Sequence, residues 1–209
     1  MKLFSAWLKT FHPKLDHEGN RVKIENPTTK SSEDTWHDPS KTATFTPNSI
    51  TPNDINGTRI KAASAPDHES ITEIDEPKLT ANKKVSTGII MIEPDNRVWI
   101  HEPTNHFGGY EHAFPKGKLE PGLSMQQNAV KETHEETGLH AQITGHLGDY
   151  DGDTSTTRYY IGKRIGGNPA DMGWESQSVK LVPMNDLHKY LNRSRDKQIA
   201  TDLINKFKK

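Results

Sequence analysis

Three carboxylates, Glu132, Glu135 and Glu136, stand at offsets i, i+3 and i+4 just before Thr137-Gly138. Such offsets put all three on one face of a helix. Like charges so placed repel by roughly a few tenths of a kcal/mol per pair, so packing alone gives no reason to gather them. A hard divalent cation does give one, because Mg²⁺ takes oxygen ligands and joins carboxylates to substrate phosphates. A solvated acidic helix end is the competing explanation, and the residues that would position the carboxylates decide between the two.

Those residues form a loop entering a helix. Pro115-Lys116-Gly117 and Pro121-Gly122 are turn signals only a few residues apart. Lys118-Leu119-Glu120 between them is too short to be an independent element. Ser124, with Gln127 three residues on, is a capping box of the Ser-x-x-Gln type. Met125, Ala129, Val130 and Thr133 then give the helix a side to bury, and Gly138 stops it.

The whole stretch, FPKGKLEPGLSMQQNAVKETHEETGL, resembles the Nudix box. Gly117 opens the box, and Glu132, Thr133, Glu135, Glu136, Gly138 and Leu139 follow in register. Leu123 stands at the first Glu position and Lys131 at the Arg position. Lysine cannot reproduce the bidentate geometry of the guanidinium fork it replaces. The resemblance implies that Glu132 and Glu136 bind metal, with the Lys116 carbonyl as a backbone ligand and Mg²⁺ or Mn²⁺ as the cation. Glu120 could compensate for the carboxylate missing at Leu123.

It further implies divalent-metal-dependent hydrolysis of a nucleoside diphosphate linked to another group. Phosphoryl transfer asks the protein mainly for positioning and charge neutralisation. A carboxylate must take the proton of the attacking water. Glu135 and Glu132 are candidates on the helix, and Glu175 is one in the loop GWES. Asp149, Asp151 and Asp153 offer others. Phe107 and Trp174 are candidate base-stacking platforms. Tyr159 could flank the phosphates, and Lys118 and Arg158 could contact them. The proline that often marks ADP-ribose hydrolases is replaced by Ser155, whereas Tyr159 lies near the tyrosine often seen in diadenosine polyphosphate hydrolases. Dinucleoside polyphosphates or related nucleotides are therefore the expected substrates. Because of Leu123 and Lys131, a catalytically weakened module that binds a nucleotide or a protein partner is the alternative.

Elsewhere the pattern divides the chain in two. From Lys84 onward, strands are expected at 85–92, 97–101, 141–150, 156–164 and 178–182, with a last helix near 195–207. This order agrees with the α/β/α sandwich on a mixed sheet that the resemblance implies for residues 83–209. Residues 1–82 carry seven of the 13 prolines and only isolated apolar residues. They are expected to form a largely irregular or disordered arm, with a short helical stripe at 2–11. A chain beginning near Asn82 is accordingly expected to fold unaided. Trp36, Phe45, Ile50 and Ile60 could pin the arm to the domain, and its hydrophobes could hold a homodimer.

Composition narrows the setting. The 209 residues carry a formal net charge of −1, which gives no general attraction for nucleic acid. Cysteine is absent, so disulfides and thiolate metal sites are excluded. The apolar run near Met1 is cut short by Lys9, and no stretch reads as transmembrane. A cytoplasmic protein acting on a small nucleotide is the expectation.

Overall fold

A computed structural model describes residues 10–28, 32–60, 71–73 and 83–208. The first element is a hairpin of β1 (Thr10–Leu15) and β2 (Arg21–Ile24). Then come β3 (Ala43–Phe45) and a small hairpin of β4 (Asp54–Ile55) with β5 (Thr58–Arg59). The longer strands β6 (Lys84–Met91) and β7 (Arg97–Pro103) follow, joined by a turn in which Asn96 has a φ of 64°. After β8 (Lys116–Lys118) and helix α1 (Met125–Thr137), β9 (Leu139–Asp151) and β10 (Ser155–Gly167) make a long antiparallel pair. Strand β11 (Ser176–Pro183) and helix α2 (Ser194–Phe207) complete the order.

Two sheets result. One runs β8-β6-β10-β9, with β6 and β10 parallel and Tyr160 opposite Ile89. The other is antiparallel, β3-β11-β7, with Lys180 opposite Ile100 and Thr44. Alternation along the strands sends side chains to two faces. Ile89, Met91, Trp99, Tyr160, Val179 and Leu181 join Ala129 and Val130 of α1 in one core. Ile90, Val98, Ile100, Tyr159, Ile161 and Val182 join Ile199, Ala200 and Leu203 of α2 in the other. The expected α/β/α sandwich on mixed strands is therefore the fold. Among the described residues, no helix is long and apolar enough to cross a membrane.

The described part of residues 1–82 is not the irregular arm expected from its composition. Strand β3 is the third strand of a sheet, and Trp36, Ala43, Phe45, Ile55 and Ile60 lie inside the α1-side core. Trp36 stacks on Phe45 with centroids 6.1 Å apart, and Phe45 leans on Trp99 at 5.7 Å. Two buried arginines fasten the segment through its carbonyls. Arg97 donates to the carbonyl oxygens of Thr35 and Trp36, and Arg164 to those of Ile55, Thr58 and Arg59. Asp95 and Glu93 pair these guanidinium groups. Composition misleads here because a few well-placed apolar side chains, spaced far apart in sequence, meet a core built mainly by later residues. Most of the expected helix at 2–11 lies outside the described residues, while Thr10 and Phe11 belong to β1.

Removing a fully buried ring tests this integration. Phe45→Ala should cost about 3–5 kcal/mol of unfolding free energy by urea denaturation. A loss under about 1 kcal/mol would return the segment to the status of an appendage.

Candidate active site

Helix α1 begins as its sequence dictates. Ser124 Oγ accepts from the Gln127 amide at 3.2 Å, and Gln127 Oε1 accepts from the Ser124 amide at 2.9 Å. Gly138 closes it in the left-handed region with a φ of 71°. Asn128, fully buried, ties the helix to its surroundings. Its Oδ1 accepts from the Glu120 amide at 3.0 Å and its Nδ2 donates to Thr87 Oγ1 at 2.9 Å. Loop 115–120, which contains the short strand β8, is thereby locked against the carboxylate end of α1.

Glu136 is buried, and its Oε2 accepts from the Lys116 amide at 2.7 Å. His101 Nε2 stands 3.5 Å from the same oxygen, and His101 Nδ1 lies 2.7 Å from Ser176 Oγ. Burial, with Lys116 and His112 adding to it, lowers the His101 pKa to about 3, so the ring beside Glu136 is neutral. Glu132 projects against the backbone of Gly117, where any Cβ would run into its carboxyl. That close approach accounts for glycine at the start of the box.

The two carboxylates are electrostatically unsatisfied. Burial pushes Glu132 up to about 7; Lys131 opposes the shift, while Glu135 and Glu175 add to it. Burial also holds Glu136 well above the usual carboxylate range, against the pull of Lys116. Among the described residues, no group of three or more Asp, Glu, His or Cys side chains forms a ready-made metal cage. A pair of desolvated carboxylates nevertheless fits Mg²⁺, which is commonly held by one or two carboxylates plus substrate phosphates. Glu135 faces outward, where Lys131 Nζ reaches it at 2.7 Å and Glu120 at 3.0 Å. Glu120 thus enters the carboxylate cluster through Lys131.

Two clefts meet at this point. The acidic one, of about 510 Å³, is lined by Glu120, Lys131, Glu132, Glu135 and residues of the β1–β2 hairpin. The more apolar one, of about 540 Å³, is lined by Val22, His101, Phe107, Tyr110 and Lys116. Glu136, Trp174 and Glu175 line both. Phe107 is 83% exposed at the mouth, on a loop where Asn105 and His106 both take positive φ. Glu175 has no side-chain hydrogen bond or ion pair among the described residues. Desolvation first, and then Glu135, raises its pKa.

Three expected substrate contacts are elsewhere. Arg158 is buried and clamped to Asp149, with both contacts at 2.8 Å, and to Glu73 at 3.1 Å. Tyr159 sits in the α2-side core, its ring edge-on to Phe114. Lys118 is exposed on β8 and lines neither cleft. Asp149, satisfied by Arg158, is likewise removed from the proton-acceptor candidates. Alternation in β7 carried a usable signal for His101, which shares the α1-side face with Trp99 two residues earlier. Nothing in the sequence marked Lys14, His17 or Val22 as cleft residues, because they arrive from a segment far away along the chain.

A family model described as the NUDIX domain matches residues 82–203, more than half of the chain. The chain belongs to the NUDIX family. It is 32% identical over 105 residues to a Mycobacterium tuberculosis (strain CDC 1551 / Oshkosh) protein provisionally named mutator protein MutT4, covering 45% of this chain and 42% of that protein. It is 32% identical over 69 residues to the RNA pyrophosphohydrolase of Caulobacter vibrioides (strain NA1000 / CB15N), covering 33% and 38%. The chain therefore spans about two fifths of the length of these curated relatives. Among solved structures, a MutT from a study of Aliivibrio salmonicida and Vibrio cholerae aligns with a TM-score of 0.51 at 25% identity. That alignment covers 60% of this NUDIX chain and 99% of the MutT chain. The MutT protein of Methanosarcina mazei Go1 shares the fold, with a TM-score of 0.52 at 12% identity and coverage of 63% and 100%.

The raised Glu132 pKa has a thermodynamic consequence. Between about 4.5 and about 7 the folded carboxyl keeps a proton that the unfolded chain releases. Stability of the metal-free protein should therefore fall as pH rises through that window. If Glu132 binds Mg²⁺, the cation must displace that proton and should raise the melting temperature much more near pH 7.5 than near about pH 5. An equal metal effect at both pH values would exclude Glu132 from the metal set.

Proposed function

We propose that this NUDIX chain hydrolyses the pyrophosphate bond of a nucleoside diphosphate linked to another group, with Mg²⁺ or Mn²⁺ held by Glu132 and Glu136. The observation that carries the reading is the junction at Glu136. There a carboxylate-lined cleft suited to a metal-bound phosphate chain opens into an apolar cleft suited to a nucleoside. The name of the Caulobacter relative points to the same bond type. Dinucleoside polyphosphates or related nucleotides are the substrate class we favour.

Each residue then has a task. Glu132 and Glu136 hold the cation, and the Lys116 amide fixes the Glu136 carboxylate. The Lys116 carbonyl is the further backbone ligand we assign. The cation, when bound, supplies positive charge to the phosphates and lowers the pKa of water. Phe107 and Trp174 stack the base. Glu175 is the better proton acceptor, because Lys131 already occupies Glu135. A carboxylate with no competing partner among the described residues, at the junction of the two clefts, can take a proton from water within hydrogen-bond reach. Engagement of Lys131 with Glu120 and Glu135, instead of Glu132 and Glu136, favours a second reading, a module that binds nucleotide with little turnover.

A nucleotide panel with Mg²⁺ or Mn²⁺, assayed for phosphate-ester products, separates the two readings. Turnover is expected in the natural protein and loss of at least about 100-fold in Glu136→Gln. The amide oxygen of that variant can still accept from Lys116, so its melting curve should persist. Unchanged turnover in Glu136→Gln would overturn the assignment, and binding without turnover in the natural protein would leave the second reading.

A further inference from the structure

We propose that the β1–β2 hairpin is a substrate-selecting wall of the cleft, and that Lys14 and His17 contact the phosphate chain beyond the scissile bond. The inference rests on the nucleotide-hydrolase reading above but concerns residues outside the matched family domain, at 82–203. Lys14, Leu15, Asp16 and His17 line the acidic cleft, facing Glu120, Glu132, Glu135 and Glu136. Val22, on the second strand, lines the apolar cleft. One hairpin thus contributes to both halves of the site.

The hairpin is held to the domain by specific bonds. Asn105 receives the Glu25 amide at 2.9 Å and donates to the Lys23 carbonyl at 2.8 Å, so one side chain pairs with the backbone as a neighbouring strand would. Gln177 donates to the Asn26 carbonyl at 2.9 Å and accepts from the Asn105 amide at 2.9 Å. Thr28 donates to Glu102. These bonds join the hairpin to the same loop that presents Phe107, so hairpin and base platform are positioned together.

The tip itself is preformed. Asp16 Oδ1 accepts from the amides of Glu18 and Asn20 at 3.0 and 2.7 Å, and Gly19 takes a φ of 83°. The turn fixes the backbone at His17, whose ring lies 5.8 Å from that of Trp174 with Nε2 3.9 Å from Glu18 Oε1, and whose side chain is 75% exposed. Lys14 bends over to donate to the Asp171 carbonyl. An ammonium and an imidazole donor at the open edge of a carboxylate-rich cleft suit an anionic group that the carboxylates themselves would repel. A phosphate chain held at its inner end by the metal carboxylates would present its outer phosphates to that edge.

The test uses the full chain with Lys14→Ala and His17→Ala, and compares a dinucleoside tetraphosphate with a dinucleoside diphosphate in Mg²⁺. Each variant should raise KM for the tetraphosphate about tenfold, with kcat within about twofold and the diphosphate little affected. Lys14→Arg should restore the lower KM. Binding of a methylene-bridged, non-hydrolysable nucleoside triphosphate, measured by calorimetry, gives a readout independent of turnover. Absence of turnover on every nucleotide, with a Kd still weakened about tenfold in both variants, would sink the hydrolase reading and keep the hairpin's role. Equal losses for long and short phosphate chains, or no change in KM and Kd, would overturn the proposal. So would failure of the natural protein to bind the analogue.

Discussion

The bond from the Lys116 amide to Glu136 is the contact on which the site depends. It holds a buried carboxylate against a loop rather than in solvent, and it forces the end of α1 and the strand β8 to meet. Once they meet, Gly117 must lack a side chain, since Glu132 occupies that space. Asn128 secures the same approach from the first turns of the helix. Two carboxylates are consequently held in a desolvated position that neither would adopt alone, with pKa values raised by burial. The energy of packing around α1 thus maintains the close approach of these two carboxylates to the loop.

That packing draws on both ends of the chain. Phe45 and Trp36 complete the core under Trp99, and arginines 97 and 164 bind backbone carbonyls of the same segment. A buried guanidinium needs a counter-charge and acceptors for its remaining N–H groups. Asp95 and Glu93 give the first, and the carbonyls of residues 35–59 give the second. The N-terminal segment is therefore part of the polar accounting of the sheets as well as of their apolar core.

Arg158 shows how the same principle misdirects a reading of residue types. An arginine near an expected phosphate site suggests phosphate binding, yet Asp149 directly across the strand pair takes two of its three nitrogens and Glu73 the third. Tyr159 is withdrawn in the same way, since its position in β10 points it to the α2-side core while Tyr160 faces the other side. Period-two alternation settles which of two adjacent tyrosines belongs to which core, and neither lines the clefts.

The sequence by itself determined the local chemistry: the capping box, the glycine stop, the carboxylate face of α1 and the strand periods after Lys84. These depend on interactions within about one helical turn or on a period of two, so they survive in a linear reading. The tertiary structure alone decided which distant segments complete the core and wall the cleft. Trp36, Phe45, Lys14 and His17 lie in stretches whose composition resembles a disordered arm. Their role follows from meeting sheet and cleft residues more than 40 positions away along the chain. Burial free energy depends on what a side chain packs against, and isolated apolar residues carry no trace of their partner in their own neighbourhood.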